Sequence, residues 1–392
     1  MIATLVIFWL CVWAVAHTYV IYPVLLHILL KIKGRKSFRS FDAGDELPMV
    51  TILMAAYNEE SVIEDKIRSV FNTSYPMQKV EMLVGSDNST DNTNTIVRSL
   101  CEEFPNLHFF NFEERQGKIG IINQLSDKSL GTILVVTDAN VMFSVETLPQ
   151  LIKYFADENV GLVDTRMNNY GLKKDGISVQ EKSYISREVY VKHLESSTFG
   201  TMIGPFGGCY AVRKSLFVKV PSNYLVDDFF VCMSVFDQGK LAINNLDAPV
   251  YEGVSNNLSI EFKRKIRIAA GDFQNLNHFK HLLWPPFSPV AFCFLSHKVM
   301  RWIGPFFLIG ALFSNAILAV HSPFYQVLFL LQITLSFLPF VDFILKKIGI
   351  HIVLLRFVTH FYSMNLSLLI GFFKSLKGIK SNVWKPTRRL QE

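Results

Sequence analysis

The sequence predicts an α/β domain with a doubly wound sheet, set between segments that cross a membrane. Three observations carry that expectation. Between Met49 and Met167, apolar runs of strand length alternate with stretches of helical periodicity. Residues 2–30 contain no Asp, Glu, Lys or Arg. After Pro289 the chain turns apolar again almost to its end.

The uncharged stretch 2–30 is long enough to span a bilayer with some tilt. It lacks the basic start and the small-residue cleavage site of a signal peptide, so a retained transmembrane helix is the expectation. Lys31, Lys33, Arg35, Lys36 and Arg39 follow directly. The positive-inside rule places that cluster, and the domain behind it, in the cytoplasm. A formal charge of +6 suits an anionic membrane face. Nucleic acid is not an expected partner, because the soluble part shows no basic helix interleaved with aromatics. Cys11, Cys101, Cys209, Cys232 and Cys293 are scattered, without zinc or redox spacing, and read as packing residues.

Val50–Ala56 is a near-continuous apolar run, as in a parallel strand covered on both faces. Val62, Ile63, Ile67, Val70 and Phe71 share one side of a helix over 60–71. Strands are expected at 80–85, 107–112 and 132–137, and helices at 91–103 and 117–125. A doubly wound sheet binds ligands beyond the carboxyl ends of its strands. Those ends carry Tyr57-Asn58-Glu59, Asp87-Asn88-Ser89 and Asp138-Ala139-Asn140. Asp91 reads as a helix cap. An amphipathic helix is expected over 178–195, a glycine-rich turn at Gly204–Gly208, and a helix starting at Asp227-Asp228.

Residues 259–283 mix Lys263, Arg264, Lys265 and Arg267 with Phe262, Ile266 and Phe273, a pattern suited to a membrane interface. Residues 302–320 and 324–345 read as spans. The stretch 350–373 carries Arg356 and His360 and reads as an interfacial or re-entrant piece. With the basic tail in the cytoplasm, the crossings after the domain must be even in number.

The ordered series Ala56-Tyr57-Asn58-Glu59, Ser86-Asp87, Gly117-Lys118, Asp138-Ala139-Asn140, Gly207-Gly208 and Asp227-Asp228 resembles the family 2 glycosyltransferases. It is most similar to their membrane-anchored, cellulose-synthase-like and hyaluronan-synthase-like branch. The resemblance implies a GT-A fold and an inverting transfer from a nucleotide sugar, a UDP-sugar by expectation, to a lipid-linked or glycan acceptor. It implies donor binding by Tyr57, Glu59, Asp87, Lys118, Asp138 and Arg267. Asp138 and Asn140 occupy the family's DxD position and would hold Mg²⁺ or Mn²⁺, with Asn140 replacing the second aspartate. Asp228 stands where the family has its general base. Gly207, Gly208, Asp227 and Arg264 fall on the acceptor side. The Gln-x-x-Arg-Trp of processive members is altered at Arg264–Ile268, which favours single addition over chain synthesis.

The expected layout is a spanning helix at 1–30, a cytosolic GT-A domain at 31–258 and interfacial helices at 259–298. A membrane region at 299–373 and a basic tail at 374–392 complete it. The expected location is the cell membrane, in a bacterium its inner membrane, with an oligomer left open. An alternative is a processive synthase that exports its chain. The intact Asp87, Asp138 and Asp228 argue against an inactive membrane scaffold.

Overall fold

The computed structural model describes residues 1–42, 44–171, 177–253 and 257–379, so all of the expected basic tail beyond Ile379 lies outside it. The chain divides into two compact units, one built on Leu29–Gly171 and Ile185–Val254, the other on Met1–Ile28, Leu172–Tyr184 and Ser255–Gly378.

The first unit holds one mixed sheet of eight strands. In chain order they are β1 (Val50–Ala56), β2 (Val80–Asp87), β3 (Leu107–Phe112), β4 (Ile133–Thr137), β5 (Val141–Phe143), β6 (Val160–Tyr170), β7 (Cys209–Arg213) and β8 (Leu241–Gly253). Their spatial order is β3-β2-β1-β4-β7-β6-β8-β5. The first four neighbours run parallel, as the apolar runs predict. β7 then reverses against β4, β6 against β7 and β5 against β8, so the rest of the sheet departs from a purely parallel pattern. β1 and β4 are almost wholly buried, which is why they read as unbroken apolar stretches. Helices cover the sheet: Ile63–Phe71 buries Ile63, Ile67, Val70 and Phe71 into the main core with Val50, Ile52 and Met54.

The topology decides where chemistry can occur. The carboxyl ends of β1, β2 and β4 meet the start of β7, because Cys209 pairs with Thr137. The end of β8 joins them, with Glu252 opposite Val141. These strand ends therefore lie together at one end of the sheet.

The second unit is helical. Among the described residues three helices are long and apolar enough to cross a membrane: Ile2–Lys33, of which the part up to Ile28 belongs to this unit, Pro323–Lys347 and Val353–Leu376. The span expected at 302–320 differs. It is a 16-residue helix, Gly304–Ala319, joined at a 60° bend to Pro289–Trp302. At 1.5 Å per residue it covers about 24 Å, short of a bilayer core of roughly 30 Å. Pro305 explains the break at Ile303, since it has no amide to donate to Arg301 four residues back and its ring crowds that carbonyl.

The helix Val353–Leu376 has the lowest hydropathy of the three, 1.4 against 1.9 and 2.1. Arg356 lies in its first turn rather than at its centre and reaches Asp342 of the preceding helix at 3.8 Å. Pairing of this kind lowers the cost of an intramembrane charge. The same helix packs on the basic helix Leu258–Phe279 through small residues. A Cβ added at Gly371 would stand 2.4 Å from that of Ala269. The basic helix so buries Ile266, Ala269, Ala270 and Phe273.

Candidate active site

The first two strand-end turns are locked to each other. Asn58, in the left-handed region at φ 56°, accepts the Thr90 amide on its side-chain oxygen at 2.8 Å. The Glu59 amide donates to Thr93 Oγ1 at 2.9 Å. Asp91 accepts the Thr93 amide at 3.0 Å and the Glu60 amide at 3.1 Å, so its carboxylate serves the start of the helix, while Asn92 holds the N-cap position without a side-chain cap bond. Tyr57 is thereby held at the mouth of the sheet.

Asp87 ends β2 with 3% exposure. Its carboxylate accepts the backbone amides of Gln116 at 2.6 Å and Gly117 at 3.1 Å, and Arg115 Nε at 3.0 Å. Gly117 has φ +75°, a conformation that favours glycine. Asp87 therefore positions the start of the Gly117–Lys128 helix. A carboxylate has about four acceptor sites, so capacity for a further donor remains. Arg115 also lies over the Tyr57 ring, 3.3 Å from its centroid. Arg115 is not among the residues that the motifs single out; its place just before Gly117-Lys118 is the signal for it in the sequence.

Lys118 then reaches across the site. Its Nζ is 2.7 Å from Asp138 Oδ1, 3.7 Å from Asp227 Oδ2, and donates to the Gly207 carbonyl at 3.1 Å. Burial works against its charge, yet the Asp138 and Asp227 carboxylates hold the ammonium above the ordinary lysine range. One lysine thus ties three sequence-predicted motifs together.

The Gly207-Gly208 turn is fixed from below. The Gly208 carbonyl accepts from Asp138 N at 2.9 Å and Thr137 Oγ1 at 3.1 Å. The Phe206 amide donates to Asp164, a fully buried carboxylate that also pairs with Lys192 at 2.6 Å. A Cβ at Gly207 would lie 2.8 Å from Asp228 Oδ2, so only glycine lets this backbone pass the carboxylate. Asp227 and Asp228 open the Asp227–Asp237 helix, where acidic residues are favoured by the helix dipole. Desolvation and the neighbouring Asp227 push Asp228 up to about 7, against the opposing pull of Lys118.

Beneath the Asp138–Asn140 turn lies Lys66, fully buried. Its ammonium donates to Thr137 Oγ1 at 3.0 Å and to the Val141 carbonyl, and sits 3.7 Å from the Phe143 ring centroid. Desolvation brings it down to about 7. It grips both flanks of the turn. Asp164, Lys192 and Lys66 belong to no motif, and no local pattern marks them.

Asp138 and Asn140 offer hard oxygen donors of the type that Mg²⁺ and Mn²⁺ take. Among the described residues, no group of three or more His, Cys, Asp or Glu is placed to hold a metal. A cation held here would depend on the Asp138 and Asn140 oxygens and on its ligand.

Arg264 and Arg267 belong to the helical unit. There Arg264 pairs with Glu261 at 2.9 Å and Glu181 at 3.6 Å.

The profile of Glycosyl transferase family 2 matches residues 51–220. These residues form a family 2 glycosyltransferase domain. The domain resembles the β-monoglucosyldiacylglycerol synthase of Nostoc, at 28% identity over 177 residues, 45% of this chain and 38% of that protein. It resembles the poly-β-1,6-N-acetyl-D-glucosamine synthase of Staphylococcus aureus at 25% identity over 241 residues, 59% of this chain and 56% of that one. The chain therefore spans well under two thirds of these relatives. A mannosyltransferase from Pyrobaculum calidifontis, solved with GDP-Man and Mn²⁺, superposes with a TM-score of 0.70 at 22% identity. It covers 94% of this chain and 99% of its own, which shows the GT-A fold.

Proposed function

We propose that this protein transfers one sugar from a nucleotide-sugar donor, UDP-linked by family resemblance, to a lipid-linked acceptor at the membrane. The carrying observation is the placement of Asp228, a carboxylate with raised proton affinity, against Gly207, whose carbonyl binds the same Lys118 that pairs with Asp138. One side of that arrangement suits an acceptor hydroxyl and the other a diphosphate.

Asp228 takes the acceptor proton as the hydroxyl oxygen bonds to the anomeric carbon. The bond from that carbon to the diphosphate breaks and the nucleoside diphosphate leaves with the electron pair. Lys118 meets the charge that develops there. Asp87 and Arg115 shape the nucleoside side through Tyr57, with Glu59 beside it. Asp138 and Asn140 would hold Mg²⁺ or Mn²⁺, which supplies further charge neutralisation when bound. Gly207, Gly208 and Asp227 border the acceptor.

The similarity to a glycan synthase favours a second reading, processive chain growth. The size of the product decides between them. One sugar per lipid, measured by mass spectrometry at long incubation and high donor, is expected. A ladder of repeating masses supports the synthase instead.

The domain is placed on the cytoplasmic side, from the cluster Lys31–Arg39 after the first helix. With the bent pair Pro289–Trp302 and Gly304–Ala319 counted together as one crossing, a single cysteine at Ser322, just before Pro323–Lys347, is expected to react with an impermeant reagent on intact cells. Protection there would reject this topology.

A further inference from the structure

The family-type cation site is short of one negative charge, because Asn140 stands at its second acidic position. The structure shows where a replacement sits. Glu252 lies near the end of β8 with 4% exposure, directly opposite Val141 of β5. The Asn140 side chain donates through Nδ2 to Glu252 Oε1 at 3.2 Å.

We propose that Glu252 supplies the second carboxylate of the Asp138–Asn140 site, with Asn140 as the neutral group between the two charges. This rests on the reading of Asp138 and Asn140 as the cation-binding pair. A carboxylate can only accept, so the end of the amide that faces Glu252 must be its NH₂. Asn140 Oδ1 is then the end left for a cation.

The same geometry explains why residue 140 is not aspartate. An aspartate there would set two carboxylates about 3 Å apart, and like charges at that range do not both ionise readily. Asn140→Asp therefore weakens the site while Glu252 remains. This is the opposite of what adding a charge to a single turn suggests. The partner residues are 112 positions apart in sequence and meet only through the β5–β8 pairing.

The test is Mn²⁺ binding to full-length protein in detergent, followed by the loss of the free-ion signal in electron paramagnetic resonance. Asp138→Ala is expected to abolish binding. Glu252→Gln is expected to weaken it by about 10- to 100-fold, as for groups that support a metal's ligands. Asn140→Asp alone should weaken it too, and Asn140→Asp combined with Glu252→Gln should return it to near wild type. Unchanged affinity in Glu252→Gln, or tighter binding in Asn140→Asp alone, overturns the proposal while leaving Asp138 as a ligand. Unchanged affinity in Asp138→Ala removes the underlying reading as well. Should Glu252→Gln fail to fold, the single Asn140→Asp variant still decides.

Discussion

Asp228→Asn is expected to lower turnover by about 10²–10⁴, the range for loss of a general base, while donor affinity stays near wild type. The side chain keeps its shape and loses only its ability to take a proton. In the wild type, turnover should fall as pH drops below about 7, where desolvation and Asp227 keep Asp228 protonated. The linkage has a definite sign. The folded state holds this proton more tightly than the unfolded chain, so stability falls as pH rises from the ordinary carboxylate range toward 7 and levels off above it. Asp228→Asn should therefore melt no lower than wild type at pH 8, and by this argument somewhat higher. Lost activity with retained or increased thermal stability separates chemistry from unfolding. Unchanged turnover would remove Asp228 from the reaction.

Asp138→Ala is expected to remove donor binding. Asp138 is the carboxylate nearest Lys118, at 2.7 Å, and the only charged oxygen donor on its turn. Losing a charged hydrogen bond costs about 1.5–3 kcal/mol, or roughly 10- to 150-fold in affinity, before any loss of the cation is added. The lysine is 20% exposed at its side chain, so solvent moderates the part due to that pair. Titration of nucleoside diphosphate with and without Mn²⁺ measures both contributions. Equal affinity for wild type and variant would place the diphosphate elsewhere.

Legibility in the sequence followed burial. Val50–Ala56 and Leu107–Phe112 form the strands their patterns predict, and the helices at Gly117 and Asp227 begin where expected. Those features depend on local pattern alone. β6 and β8 were not foreseen, because they carry polar residues inward: Asp164, Thr165, Asn244 and Asn245 are all buried. Such strands lack the alternation or apolar continuity that identifies a strand. The motif residues Lys118, Asp138, Asp227 and Gly207 do come together, whereas what fixes them does not appear in any motif. Lys66, Arg115, Asp164 and Glu252 act through contacts across dozens of residues, set by strand order. The break at Gly304-Pro305 was readable in principle, but hydropathy averaged across it.

Release of nucleoside diphosphate tests whether the protein transfers sugar to a membrane acceptor. Purified protein in detergent is offered UDP-, GDP- and other nucleotide sugars, with and without a membrane lipid extract, and nucleoside diphosphate release is followed. Release from one donor class is expected, stimulated by lipid and abolished in Asp228→Asn, with the label recovered in the lipid phase. Release from no donor, or release indifferent to both lipid and Asp228, would contradict it.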